Sequence, residues 1–148
     1  MYKNILIATD GSDLAGKGMD QGMALAKALG SKVTVVTVTE PYPFYVASSA
    51  GWSPSATEID AYMQGQKEVA AHVLDGAAKL AASAGVDVAV RHVPDRWPAE
   101  AILETATSDR SDLIVMASHG RRGLGRILLG SQTAHVLAQS AIPVLVVR

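Results

Sequence analysis

The sequence predicts an α/β fold: one domain, 1–148, on a five-stranded parallel sheet, doubly wound with helices on both faces. Three observations carry this. Short apolar runs at residues 5–9, 33–38, 86–93, 112–117 and 142–147 are separated by stretches of helical periodicity. Most of these runs are apolar without polar alternation, as strands buried on both faces require. Each connection is long enough for a crossover helix, so the order reads βαβαβαβαβ. With 148 residues, 49% of them hydrophobic and 18% charged, the chain can bury a core of its own.

The first strand, ILIAT at 5–9, stops at the turn cluster Asp10-Gly11-Ser12-Asp13. Residues 14–29 then place Leu14, Met23, Leu25, Ala26 and Leu29 at near-helical spacing and end at Gly30. Gly16, Gly18 and Gly22 each weaken this helix by up to ~1 kcal/mol relative to alanine. Packing must therefore hold it, and its small residues let it lie close on the sheet. VTVVTV at 33–38 is a second buried strand, stiff and β-branched.

Pro41, Pro43 and Pro54 argue against helix or central strand through most of the segment 41–54. So long a connection reads as a lid or a disordered loop, and its Tyr42, Phe44, Tyr45 and Trp52 suit closure over a ligand or docking of a protein partner. Ser55-Ala56-Thr57-Glu58 is a capping-box pattern opening a long helix to about residue 84, closed by Gly85. The third strand, VDVAVRHV, alternates and has one more polar face. Pro98, after the turn Pro94-Asp95-Arg96-Trp97, opens a helix over 99–107 with Ala101, Ile102 and Ala106 inward. DLIVMA at 112–117 and IPVLVV at 142–147 are the last strands, with a helix over 131–139 between them.

The formal net charge of −1 gives no general pull toward nucleic acid or an anionic membrane. There is no cysteine, hence no disulfide and no thiolate chemistry. No window approaches 18 apolar residues and no signal-peptide pattern opens the chain, so a soluble, cytoplasmic protein is expected.

Ligands of open α/β sheets bind beyond the C-terminal ends of the strands, where strand order reverses. If right-handed crossovers wind outward from strand 1 and then return to its other side, strands 1 and 4 are neighbours at that point. The two most glycine- and polar-rich turns, 9–13 and 118–130, follow those strands. In the second, VMASHGRRGLGRILLGSQTAHVL, glycines permit left-handed backbone and close approach, so successive N–H groups can point at an anion. Gly130-Ser131 stands where the last helix begins and its N–H groups carry roughly half a positive charge. The Ser131 hydroxyl suits a phosphate oxygen or a metal-bound water, and Arg121, Arg122 and Arg126 add charge.

A plainer reading stands beside this one. Gly120, Gly123 and Gly125 would merely turn the chain, Ser131 would cap the helix and the arginines would be solvated. The stretch is neither a P-loop, which needs a lysine before Ser/Thr, nor a GxGxxG fingerprint. His72, His92 and His135 stand apart without metal-ligand spacing and read as structural or exposed.

From KNILIATDGS at 3–12 through DLIVMASHG at 112–120 to AIPVLVV at 141–147, nearly the whole chain resembles a universal stress protein. ATP-binding members of that family share a Gly, two residues, Gly, nine residues, then Gly-Ser or Gly-Thr. Gly120, Gly130 and Ser131 match, while Ala117 replaces the first glycine. Trp97 stands where the family usually has glycine before the proline. The resemblance implies a Rossmann-like sheet of the adenine nucleotide alpha hydrolase type, order 3-2-1-4-5. It also implies a site for ATP, or for AMP or ADP, with Mg or Mn across the phosphates.

Ala8, Thr9 and Asp10 would then lie near the ribose or the metal and phosphates. Val38 would offer its backbone to the adenine edge, and Met116 and Ala117 would flank base and sugar. Ser118, His119, Gly120, Arg121, Arg122, Gly123, Gly130, Ser131, Gln132 and Thr133 would complete the phosphate end. The implied protein is a regulatory module in stress response, a homodimer paired through the last strand around Val144–Val147. A slow ATPase and a nucleotide-free scaffold are the alternatives, and His119 is read as a locally bonded turn residue rather than a base.

Overall fold

The computed structural model describes residues 1–120 and 129–148. Its strands are β1 (Asn4–Ala8), β2 (Lys32–Val38), β3 (Val88–Val93), β4 (Leu113–Ala117) and β5 (Val144–Val147). Its helices are α1 (Asp13–Leu29), α2 (Phe44–Ser49), α3 (Ala56–Ala84), α4 (Pro98–Ser108) and α5 (Ser131–Gln139). All strand pairs are parallel and the order is β3-β2-β1-β4-β5. β1 therefore sits at the centre, with Ile5 beside both Val33 and Leu113.

Strand alternation sorts the core into two layers. Ile5, Ile7, Val33, Val35, Leu113 and Val115 pack on Met23 and Ala26 of α1 and on Leu74, Ala77 and Ala81 of α3. Leu6, Val36, Ile114 and Met116 pack on Ala99, Ile102 and Ala106 of α4 and on Val136 of α5. The close approach expected of α1 occurs at Gly22, where a Cβ would fall 2.5 Å from Ile7 Cδ1. Of the apolar residues expected inward, Met23 and Ala26 are buried, whereas Leu29 is 43% exposed because it lies in the last turn beside Gly30.

Local chemistry sets the helix ends. Ser12 accepts from Ala15 N–H at the start of α1. The Ser55–Glu58 capping box forms reciprocally at the start of α3, and Gly85, in left-handed backbone at φ 70°, ends that helix. Pro98 occupies the first position of α4.

One expectation is corrected. The segment 41–54 contains the helix α2, because Pro43 stands at its N-cap and no proline falls inside Phe44–Ser49. Trp97 is 55% exposed at the N-cap of α4. The more polar third strand is a sheet edge, where Arg91 reaches Asp109 at 2.9 Å. Among the described residues no helix is long and apolar enough to cross a membrane.

Candidate functional site at the strand ends

Beyond the C-terminal ends of β1, β2 and β4 lies a cleft of about 630 Å³, within the ordinary range for a small-molecule site. It opens at the switch point, where β1 feeds α1 on one face of the sheet and β4 leads toward α5 on the other. Ala8, Val36, Val38 and Met116 form an apolar floor, and Pro98 and Ile102 of α4 form one wall.

The turn after β1 satisfies itself. Asp10 Oδ1 accepts from Ser12 N–H at 3.0 Å and Thr9 Oγ1 from Gly11 N–H at 3.2 Å. Thr9 and Asp10 face the cleft with Ala8. Val38 presents its main chain there for a reason of register. Thr9 N–H donates to Val36 O and Thr39 N–H to Val93 O, so Val36 and Val38 face β1 while Thr37 and Thr39 face β3. The β1 ladder stops at Ala8 opposite Val36, which turns the Val38 backbone into the gap beyond.

At the end of β4 the chain is stapled to α5. Gly130 N–H donates to Ser118 O at 2.8 Å and the Thr133 hydroxyl to Ala117 O at 2.9 Å. Gly130, not Ser131, is the N-cap, with no side chain to close the helix. The first intrahelical bond runs from Ala134 N–H to Gly130 O, so the N–H groups of Ser131, Gln132 and Thr133 precede the ladder. All three residues line the cleft. This is the amide-rich terminus that the spacing predicts, with one change: the Gly130 N–H is already used.

The glycines are needed for space rather than for left-handed backbone. Gly130 has φ −61°, and a Cβ on it would sit 3.0 Å from His119 Cα. A Cβ on Gly120, which also lacks a positive φ, would fall 2.5 Å from Asp10 Oδ2. Gly120 thus brings the two loops of the site together.

Ala117, His119 and Gly120 also line the cleft, and His119 Nδ1 lies 3.2 Å from the Ser118 hydroxyl. Ser118 is buried behind the lining, its N–H donated to Val147 O. Gln132 Oε1 accepts from Ala99 N–H at 3.0 Å, so its amide oxygen serves α4 rather than a ligand. Arg121, Arg122 and Gly123 lie outside the described residues, as do Gly125 and Arg126.

Sequence reasoning missed Ala15, Val36, Thr39, Glu40, Tyr62, Gln66, Pro98 and Ile102. Glu40, two residues past β2, was findable from the rule that ligands sit at strand ends. Tyr62 and Gln66 were not, since nothing local says which turn of a 29-residue helix crosses the cleft. Gln66 Nε2 donates to the Tyr62 hydroxyl at 3.1 Å, and that ring packs edge-on against Tyr42 at 5.1 Å. Thr39 Oγ1 lies 2.8 Å from His92 Nε2, and burial, then the charge of Lys67, hold the His92 pKa below its ordinary value. Among the described residues no group of three His, Cys, Asp or Glu is placed to hold a metal.

The sequence pattern of the universal stress protein family matches residues 1–148. A universal stress protein of Thermus aquaticus is 35% identical over 155 residues, with all of both chains covered. The chain belongs to the universal stress protein family. Its fold is similar to that of the hypothetical protein MJ0577, with a TM-score of 0.82 and 29% identity over 99% of this chain and 96% of that one. It is also similar to a universal stress protein solved in complex with cAMP, with a TM-score of 0.73 and 26% identity over 99% and 97% of the two chains. Within this universal stress protein fold, the apolar floor, the Val38 backbone and the start of α5 share one opening.

Proposed function

We propose that the cleft binds an adenine nucleotide and that the protein is a nucleotide-dependent regulatory module. The observation that carries this is the pairing of an apolar slot with an uncapped helix start inside one cleft. A planar base suits the slot between the strand floor and Ile102, where the Val38 backbone can match a donor and an acceptor on its edge. An anionic phosphate suits the N–H groups of Ser131, Gln132 and Thr133, which oppose no negative charge of their own helix. Asp10, which lines the same cleft, is assigned to the sugar and phosphate end. The similar universal stress protein solved with cAMP supports this reading.

Mg or Mn fits the site as a partner of the phosphates. Magnesium is commonly held by one or two carboxylates plus substrate phosphates, so the lack of a multi-ligand cage among the described residues is no obstacle. Asp10 is the side chain that would contribute, and the ion would neutralise phosphate charge. No lysine lines the cleft among the described residues, which favours holding ATP over rapid phosphoryl transfer. We assign the protein to stress response in the cytoplasm, as a homodimer paired through β5, an edge strand on which Leu145 is 37% exposed.

The test is direct. Purified protein is denatured and the supernatant analysed by mass spectrometry for AMP, ADP and ATP, and nucleotide-free protein is titrated calorimetrically with each nucleotide, with and without Mg. Saturable binding is the expected result. Steady conversion of ATP to ADP would replace the regulatory reading with that of a slow ATPase. Absence of binding at millimolar nucleotide would leave a nucleotide-free scaffold.

A further inference from the structure

We propose that Gln132 is a positioning residue that sets the α4 wall of the base slot by capping α4 from the neighbouring helix. For its ligand the proposal rests on the nucleotide reading above.

Helix α4 is poorly equipped to close its own start. Its N-cap is Trp97, which makes no side-chain capping bond. Pro98 has no N–H, and the first intrahelical bond runs from Ala101 N–H to Trp97 O. Two first-turn donors therefore remain, on Ala99 and Glu100. Ala99 is 1% exposed, so water cannot readily serve its N–H, and a buried donor left unpaired is costly. Gln132 supplies the acceptor, with Oε1 3.0 Å from Ala99 N.

The cap sits where it can shape the cleft. Pro98 and Ile102, which form the α4 wall, flank Ala99 on the same turn of helix. Gln132 itself stands in the first turn of α5, and its backbone N–H belongs to the set assigned to phosphate. One residue thus ties the wall for the base to the terminus for the anion, beside the apolar packing that the two helices share. A direct phosphate contact by the Gln132 side chain is the competing role, and the two make opposite demands on a ligand without phosphate.

The experiment compares adenosine with AMP by calorimetry on the full chain. Gln132→Met keeps length and removes the acceptor. It should weaken both ligands by the same factor, about three- to tenfold, as expected for one neutral hydrogen bond. Gln132→Glu keeps an acceptor for Ala99 but sets negative charge beside the phosphate, so it should retain adenosine and lose AMP. A Gln132→Met protein that loses AMP affinity and keeps adenosine would overturn the proposal.

Amide hydrogen exchange without nucleotide gives an independent arm. Ala99 should exchange more slowly than Glu100 in the natural chain and should match it in Gln132→Met. Equal exchange in the natural chain would sink the cap whatever the ligands do. A natural chain that binds neither adenosine nor AMP would overturn the nucleotide reading and the base-slot role with it, while the exchange arm still decides the cap.

Discussion

Helices α1 and α5 both begin beside the cleft, each just past the end of one of two neighbouring strands, yet their starts are built oppositely. At α1 side chains supply acceptors: Ser12 takes Ala15 N–H of the first turn, and Asp10 and Thr9 take Ser12 and Gly11 N–H in the turn before it. At α5 the N-cap is a glycine with no side chain, so no cap bond forms. A Ser or Asp N-cap is generally worth roughly 1 kcal/mol to a helix, but position 130 has no room for one, since its Cβ would fall 3.0 Å from His119 Cα. Of these two starts α5 alone lacks a side-chain cap, and Ser131, Gln132 and Thr133, whose N–H groups precede its ladder, all line the cleft. The closed turn supplies a carboxylate and the open one supplies amides.

The strongest way to break this comparison is Gly130→Val. Its Cβ would meet His119 Cα at 3.0 Å and Ser118 O at 3.2 Å, which are backbone atoms with little room to give. We expect about 1–3 kcal/mol of lost stability, and a loss of nucleotide affinity of about 100-fold or more as the α5 start is pushed from β4. Thermal unfolding and calorimetry read the two effects, and unchanged affinity would refute the assignment of the α5 terminus.

Gly120→Ala sharpens the same contrast. Its Cβ would fall 2.5 Å from Asp10 Oδ2, the far end of a side chain that can rotate away. Stability should stay within about 0.5 kcal/mol while affinity falls about tenfold, since the displaced carboxylate leaves the sugar and phosphate region. Equal stability and affinity losses would instead mean that Gly120 serves the fold alone.

Ser12→Ala tests the closed start. Removing the cap of α1 should cost about 1 kcal/mol of stability, read as a lower Tm, and should leave nucleotide affinity unchanged. A large drop in affinity would show that the two turns are not divided in labour as their hydrogen bonds suggest.

Much of this contrast was legible before any coordinates. The capping box at Ser55 and Glu58 and the stop at Gly85 give α3 its bounds, because cap chemistry is local. The two turns flanking the site were visible as breaks after apolar runs. The N-cap identity was not, because side-chain preference points to Ser131, whereas the bond from Gly130 N–H to Ser118 O, made across the fold, holds Gly130 out of the helix. Helix α2 was hidden for the same kind of reason, since proline counts argue against a helix unless one knows that Pro43 lies at its boundary. Val38 faces the cleft only by virtue of the register between β2 and β1, which no run of β-branched residues discloses.

The smallest effect concerns the rim of the cleft. His92 Nε2 is bonded to Thr39 Oγ1 at 2.8 Å, and burial followed by the charge of Lys67 lowers its pKa. The fold thus prefers the neutral imidazole, and the unfolded chain binds the proton more readily. The resulting stability is fully present above the unfolded value near 6.5 and is lost as pH falls from there through the lower folded pKa. His92 is partly exposed, so solvent screening keeps the contribution to roughly a fraction of a kcal/mol, about one or two degrees in Tm. Comparing Tm between the natural chain and His92→Gln from pH 7.5 to 5 isolates it from the other titrating groups. The two curves should converge at low pH, with the natural chain losing more on the way down; parallel curves would mean that the His92–Thr39 contact does not discriminate between the protonation states.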